Sequence, residues 1–201
     1  MERNEELIKE YFKKYIFGFI FNDIQNCIKA KANYTVALAL LSNTEFLGGL
    51  ANGTLGLQGK SQEQFNKALE FFEWNSDKNH YKEFKQKFKD VDFIDKEGNI
   101  YTLFRCGLAH EYFIKADSLV QNQSDGYTDG EGIFYCEGCI DKDAGVQIVD
   151  KRLRFHNNAY FRDFKKAWQK YYNLLIIEKN PELLQKYNNS LDRMAVRSVI
   201  I

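Results

Sequence analysis

The chain contains a single proline, Pro181, in 201 residues. Proline lacks a backbone N–H and its ring clashes with the preceding turn, so a chain almost without it can form long uninterrupted helices. Apolar side chains recur at steps of three and four over residues 5–33 and 158–175, which is the spacing of a helix with one buried face. Residues 34–50 are a further helix candidate, which is more apolar and is therefore expected to be more buried. The pattern predicts a mainly α protein in which helices account for most of residues 5–117.

Length and composition predict one folded domain. A chain of this size can bury a sizeable core, and 44% hydrophobic residues exclude a disordered protein. We therefore predict a single helical domain over residues 1–201. Basic and acidic residues number 28 each, so no net charge draws the whole protein to nucleic acid or membrane. Because the N-terminus is charged and no segment approaches the roughly 20 apolar residues of a membrane span, we expect a cytoplasmic protein without membrane contact.

The composition changes in the second half of the chain. Residues 122–132, NQSDGYTDGEG, have the polar, glycine-rich character of a surface loop. The segments IFYCEGCI and VQIVD then flank DKDAG, a pattern typical of a β-hairpin with a glycine-containing turn. We predict a small hairpin inserted into the helical domain near residues 133–155, with RLRF extending its second strand or pairing separately.

The glycine-rich segment GLQGKS is superficially similar to a phosphate-binding P-loop. That motif needs glycine at the position of Thr54 and a buried strand before it, whereas the preceding stretch has a helical pattern. We favour a solvent-exposed loop that leads into a helix. Ser61 is predicted to cap this helix, with the Gln64 side chain reaching back to the cap amide.

Cys136 and Cys139 form a CxxC pair within the predicted hairpin. Structural zinc needs four ligands, and the sequence contains no second CxxC. In a straight strand the two cysteines would also point to opposite faces. We therefore predict no metal site and no cofactor.

Basic residues outnumber acidic ones between residues 151 and 170, where Asp163 is the one acid. Aromatic residues alternate with them, and two interpretations stay open. The basic residues could contact RNA phosphates while some aromatic rings stack on bases. Alternatively, they form the solvated face of a helix whose aromatic rings line the core. The candidate RNA-binding residues are Lys151, Arg152, Arg154, Arg162, Lys165 and Lys166.

The stretch RCGLAH places Arg105 and His110 inside an otherwise apolar run. On an ideal α-helix they would be about 140° apart, so a site would need two copies of the helix across a two-fold axis, with Gly107 allowing close approach. A neutral histidine can take a proton from an RNA 2′-hydroxyl, and a guanidinium can stabilise the phosphate in the transition state. The alternative is a buried histidine and an arginine paired with an acid such as Glu111.

The segment LFRCGLAHEY, within a mostly helical chain, resembles the Rx4–6H motif of the HEPN superfamily, whose all-α domains occur in many prokaryotic toxins and defence proteins. The resemblance implies a helical bundle of HEPN type that forms a homodimer. It also implies a metal-independent endoribonuclease, with Arg105 as the motif arginine and His110 as the motif histidine at the dimer cleft, and an antitoxin-like protein as partner. Active members often carry Asn, Asp or His after the arginine, where this chain has Cys106. Because some members are noncatalytic, a helical dimerisation, partner-binding or RNA-binding module stays open as the alternative.

Overall fold

The computed structural model describes residues 5–72, 101–111, 119–121, 133–136, 140–141, 146–147 and 152–193. Helices dominate these residues, which confirms the predicted mainly α fold. The predicted helix after Asp77 and the loop at 122–132 lie outside the described residues.

The N-terminal helical run changes its hydrogen-bonding pattern twice. It consists of α1 (Glu5–Tyr11), a π-helix that we call π1 (Phe12–Ile20), and α2 (Phe21–Lys29). The run ends at a turn in which Lys31 has a φ of 58°. The amphipathic helix predicted for residues 5–33 is therefore confirmed as far as Lys29. Its fully buried side chains follow the predicted spacing and are Ile8, Phe12, Ile16 and Ile24.

The helix α3 (Asn33–Asn52) runs through the middle of the structure and contacts the helices on all sides of it. Half of its 20 residues are buried, as expected for a helix that is apolar around most of its circumference. It ends at Gly53, whose φ of 71° is the left-handed conformation that a glycine adopts at little cost after a helix. The rest of the fold is arranged around this helix.

A loop connects α3 to the short helix α4 (Ser61–Ala68), which continues into a single 3₁₀ turn (Leu69–Phe71). α4 packs so closely on α3 that a β-carbon added at Gly48 would lie 1.6 Å from the carbonyl oxygen of Gln64. The predicted cap of α4 is wrong. Lys60 occupies the N-cap position, and the Gln64 side chain donates instead to the carbonyl of Thr54 at 2.7 Å, because the folded loop places that carbonyl within its reach.

Two C-terminal helices close the core against α3 and π1. They are α5 (Asn157–Ile176) and α6 (Pro181–Arg193). Pro181 is the first residue of α6, where its missing N–H costs nothing, and the Asn180 carboxamide accepts the backbone N–H of Leu183 at 3.1 Å. Phe12 of π1 lies among the aromatic rings of the two helices, namely Trp168, Tyr171, Tyr172 and Tyr187.

The strands are short and form two small sheets. They are β1 (Leu119–Gln121), β2 (Ile133–Cys136), β3 (Ile140–Asp141), β4 (Val146–Gln147) and β5 (Arg152–His156). β3 pairs antiparallel with β4 across the predicted DKDAG turn. β2 pairs antiparallel with β5, and β1 lies parallel on the other side of β5. A hairpin near residues 133–155 is thus confirmed. The pairing of β3 with β4 follows the prediction. The strand RLRFH (β5) pairs separately, with IFYC (β2), which is one of the two arrangements predicted for RLRF. The parallel strand β1 was not predicted.

Candidate functional site

The segment that contains RCGLAH is a π-helix, which we call π2 (Tyr101–Glu111). In a π-helix the backbone hydrogen bonds join residues five positions apart, so such residues lie about one turn from each other. Arg105 and His110 have this separation. The separation of about 140° expected from an ideal α-helix is therefore wrong, and the backbone places the two positions on the same side of one helix. The side chain of His110 lies outside the described residues.

Arg105 is held by an acid from a distant part of the sequence. Its Nε donates to Oε2 of Glu45, in α3, at 2.8 Å. Both side chains are largely buried, with 20% of Arg105 and 15% of Glu45 exposed. A charge-assisted hydrogen bond in such surroundings is stronger than one at the surface. Arg105 is thus paired with an acid, as one of the two interpretations of RCGLAH predicts, and that acid is Glu45. The side chain of Glu111, which was named as an example of such an acid, lies outside the described residues.

Tyr101, Cys106 and Ser61 complete the polar group around this ion pair, which we call the Arg105 cluster. Burial raises the pKa of the Tyr101 phenol above its ordinary value. A hydrogen bond with Ser61 opposes this rise, whereas the Cys106 thiol and the negative charge of Glu45 add to it. Tyr101 therefore stays protonated at neutral pH and can donate a hydrogen bond. The half-buried Cys106 thiol lies beside the Tyr101 hydroxyl in this cluster.

Gly107 and Leu108 face the interior of the chain. Both residues are buried, while the neighbouring Ala109 is exposed. The glycine therefore lies against its own protomer. A buried glycine is not available for the close approach to a second copy that we predicted at this position.

The basic residues of α5 lie on its solvent side. Lys165 and Lys166 are exposed, and Lys165 Nζ lies 4.6 Å from the centre of the Phe161 ring. Arg162 is bound to the buried Asp163, with Nε 3.0 Å from Oδ1. Arg152 and Arg154 lie in β5, and their side chains, like the whole of Lys151, are outside the described residues.

The aromatic residues of α5 do not form a stacking surface. Tyr172 is half-buried, and the others are buried in the core: Tyr160, Phe161, Trp168 and Tyr171. The interpretation in which these rings stack on RNA bases is therefore wrong. The period of the helix turns the rings inward and the lysines outward.

The other sequence motifs give no further site. The glycine loop follows the helix α3 and lacks the buried strand that a P-loop requires, and Lys60 is bound to Glu63 at 2.7 Å. Cys136 lies in β2, and Cys139 is outside the described residues. Within the described part of the chain, no group of three or more His, Cys, Asp or Glu side chains is arranged to hold a metal ion.

No described helix combines the length and the apolar character needed to cross a membrane. Comparison of the chain with protein-family models, curated proteins and solved structures finds no match.

Proposed function

We propose that this protein is an endoribonuclease of HEPN type that uses Arg105 and His110. The observation that supports the proposal is the π-helical backbone of π2, which places these two positions on one side of a single helix. Long π-helices are rare, and π-helical turns occur often at functional sites. The ion pair with Glu45, at 2.8 Å, holds the side chain of the motif arginine against α3.

In the proposed reaction, His110 takes the proton of an RNA 2′-hydroxyl. The 2′ oxygen forms a bond to the adjacent phosphorus while the bond from phosphorus to the 5′ oxygen breaks. The departing 5′ oxygen takes a proton from solvent, so the products are a 2′,3′-cyclic phosphate and a 5′-hydroxyl. Arg105 donates hydrogen bonds to the phosphate oxygens and stabilises the charge that develops on them.

Purified protein incubated with mixed RNA in EDTA is expected to release fragments that end in 2′,3′-cyclic phosphate. The Arg105→Ala and His110→Ala variants should each cleave at least about 100-fold more slowly, since positioned proton transfer and electrostatic stabilisation each contribute on that order. Arg193→Ala is the matched control. It removes an exposed arginine that donates to the carbonyl of Leu55, and its cleavage rate should be unchanged. Equal activity in all four proteins would contradict the assignment.

The same cluster also supports a second candidate, a noncatalytic helical module for dimerisation or for partner or RNA binding. The observation in its favour is that Arg105 already has an acidic partner in largely buried surroundings. If the ion pair is purely structural, Arg105→Ala should lower the stability of the protein, and the wild-type protein should leave RNA intact. The cleavage assay therefore separates the two candidates.

Two further proposals come from the resemblance alone. We propose that the protein acts as a homodimer, and that it belongs to a toxin or defence system in which an antitoxin-like protein restrains it. Because Gly107 is buried within its own chain, the contact between copies would use other residues.

The exposed lysines of α5 are proposed to contribute to RNA binding through phosphate contacts. Replacing Lys165 and Lys166 with glutamine should make the slope of log affinity against log salt shallower by about 1.4, because each contact to a single strand contributes about 0.7. Lys13→Gln/Lys14→Gln, on the exposed side of π1, is the matched control, and its slope should stay at the wild-type value. An unchanged slope in the α5 variant would remove these residues from the interface.

A further inference from the structure

Glu45 occupies a rigid position in the Arg105 cluster. It belongs to the central helix α3, and its neighbours in sequence are fixed by tertiary contacts. Thr44 Oγ1 lies 2.9 Å from the hydroxyl of Tyr160, and Leu47 and Gly48 are buried. The backbone that carries Glu45 is thus held in place by the core. Its carboxylate is therefore an acceptor in a fixed position for the more exposed Arg105.

The contact between the two residues uses one edge of the guanidinium. Glu45 accepts the Nε hydrogen, and among the described residues no acceptor lies within hydrogen-bonding distance of the two Nη atoms. A guanidinium presents its N–H groups in a rigid planar fork, and a phosphate is bound well by two of them at once. With Nε occupied, the Nη edge is the part of Arg105 that can meet a substrate phosphate.

We infer that Glu45 is the positioning residue of this site. It fixes the plane of the Arg105 guanidinium through Nε, so that the Nη edge is presented to the scissile phosphate. The inference rests on the proposed function, and it assigns to Glu45 no contact with the substrate. What the role requires is an oxygen acceptor at the correct distance from Nε.

Two other roles for Glu45 lead to different expectations. If Glu45 transferred a proton in the reaction, its carboxyl group would have to titrate, and an amide in its place would abolish activity. If Glu45 only offset the charge of Arg105, its removal would strengthen the binding of anionic RNA. Positioning depends on the geometry of the acceptor, whereas these alternatives depend on its charge.

Two conservative variants separate geometry from charge. Glu45→Gln keeps an oxygen acceptor at the same distance from the backbone but loses the charge. Glu45→Asp keeps the charge but is one methylene shorter and cannot reach Nε at the observed 2.8 Å. We expect Glu45→Gln to cleave RNA within about threefold of wild type with an unchanged pH profile. Glu45→Asp should lose about tenfold or more in kcat, because small misplacements of a positioned group are costly. Glu63→Gln, an exposed acid of α4, is the matched control and should behave as wild type.

The inference is overturned if Glu45→Asp is fully active while Glu45→Gln is inactive or loses one limb of the pH profile. It is also overturned if both variants cleave as fast as wild type and Glu45→Gln binds RNA more tightly. Thermal unfolding of each variant shows that the comparison is made between folded proteins. The Arg105→Ala variant is assayed in parallel, so that failure of the proposed function can be told from failure of the positioning role. If Arg105→Ala keeps full activity, the proposed function is wrong. If Arg105→Ala is inactive but the Glu45 variants do not behave as expected, only the positioning role is wrong.

Discussion

Replacing Gly48 with alanine is expected to lower the free energy of unfolding by about 3 kcal/mol. The added β-carbon would lie 1.6 Å from the Gln64 carbonyl oxygen and 2.8 Å from the backbone nitrogen of Ala68. A β-carbon has no rotamer that could avoid this overlap, and both neighbours are backbone atoms of α4. The two helices must therefore move apart. In an exposed helix the same substitution would stabilise the protein by about 1 kcal/mol, because alanine has a higher helix propensity than glycine. At Gly48 we expect the opposite, a loss of stability.

Urea denaturation of the wild type and the variant measures this loss, with Gly49→Ala as the matched control. Gly49 lies next to Gly48 in α3 and is also buried, but its added β-carbon would first meet Cδ1 of Leu55 at 2.8 Å. A leucine side chain can rotate, so we expect Gly49→Ala to cost less, about 1 kcal/mol. Equal stabilities of the two variants would show that α3 and α4 are not packed as closely as described.

Replacing Phe12 with alanine is expected to cost about 3–5 kcal/mol, the range for a buried phenylalanine whose cavity does not collapse. Phe12 is fully buried, and its ring centre lies 5.2 Å from that of Tyr172 in α5 and 6.2 Å from that of Tyr187 in α6. The neighbouring rings are large and belong to two different helices, so they cannot close the space without moving those helices. The same unfolding experiment measures the loss.

Phe19→Ala provides the comparison on the same π-helix. The Phe19 side chain is 55% exposed, and substitutions at such surface positions usually change stability by about 0.5 kcal/mol or less. The contrast between the two variants depends on which side of π1 faces the core. A large loss at Phe19 with little change at Phe12 would mean that the helix is rotated about its axis.

The helices could be predicted from the sequence because burial imposes a period of three to four residues on it. The steps from Ile8 to Phe12 and Ile16, and the inward aromatic residues of α5, follow directly from that period. The start of α6 could also be understood from Asn180 and Pro181, because an N-cap and a first helical position favour these residue types.

The parts of the candidate site that could not be predicted depend on geometry without a sequence signal. A π-helix contains the same residue types as an α-helix, so the sequence does not distinguish the two. The angle between Arg105 and His110 around the helix axis was therefore predicted with the α-helical period, which is wrong for this segment. Glu45 is the one charged residue of α3, and its partner is 60 residues away in the sequence. The cap of α4 was misassigned because the loop before it folds back and brings the carbonyl of Thr54 to Gln64. Local patterns do not specify such tertiary contacts.

The position of α3 between its neighbours also determines which half of the ion pair can move. Within a few residues of Glu45, α3 contacts α5 through Thr44, α4 through Gly48 and α6 through the carbonyl of Gly49, which accepts a hydrogen bond from Ser190 at 3.0 Å. Displacing this segment would break contacts with three helices at once, which amounts to opening most of the fold. Any adjustment of the cluster to a bound ligand therefore belongs to Arg105 and π2. Glu45 would keep the same place in the free and the bound protein.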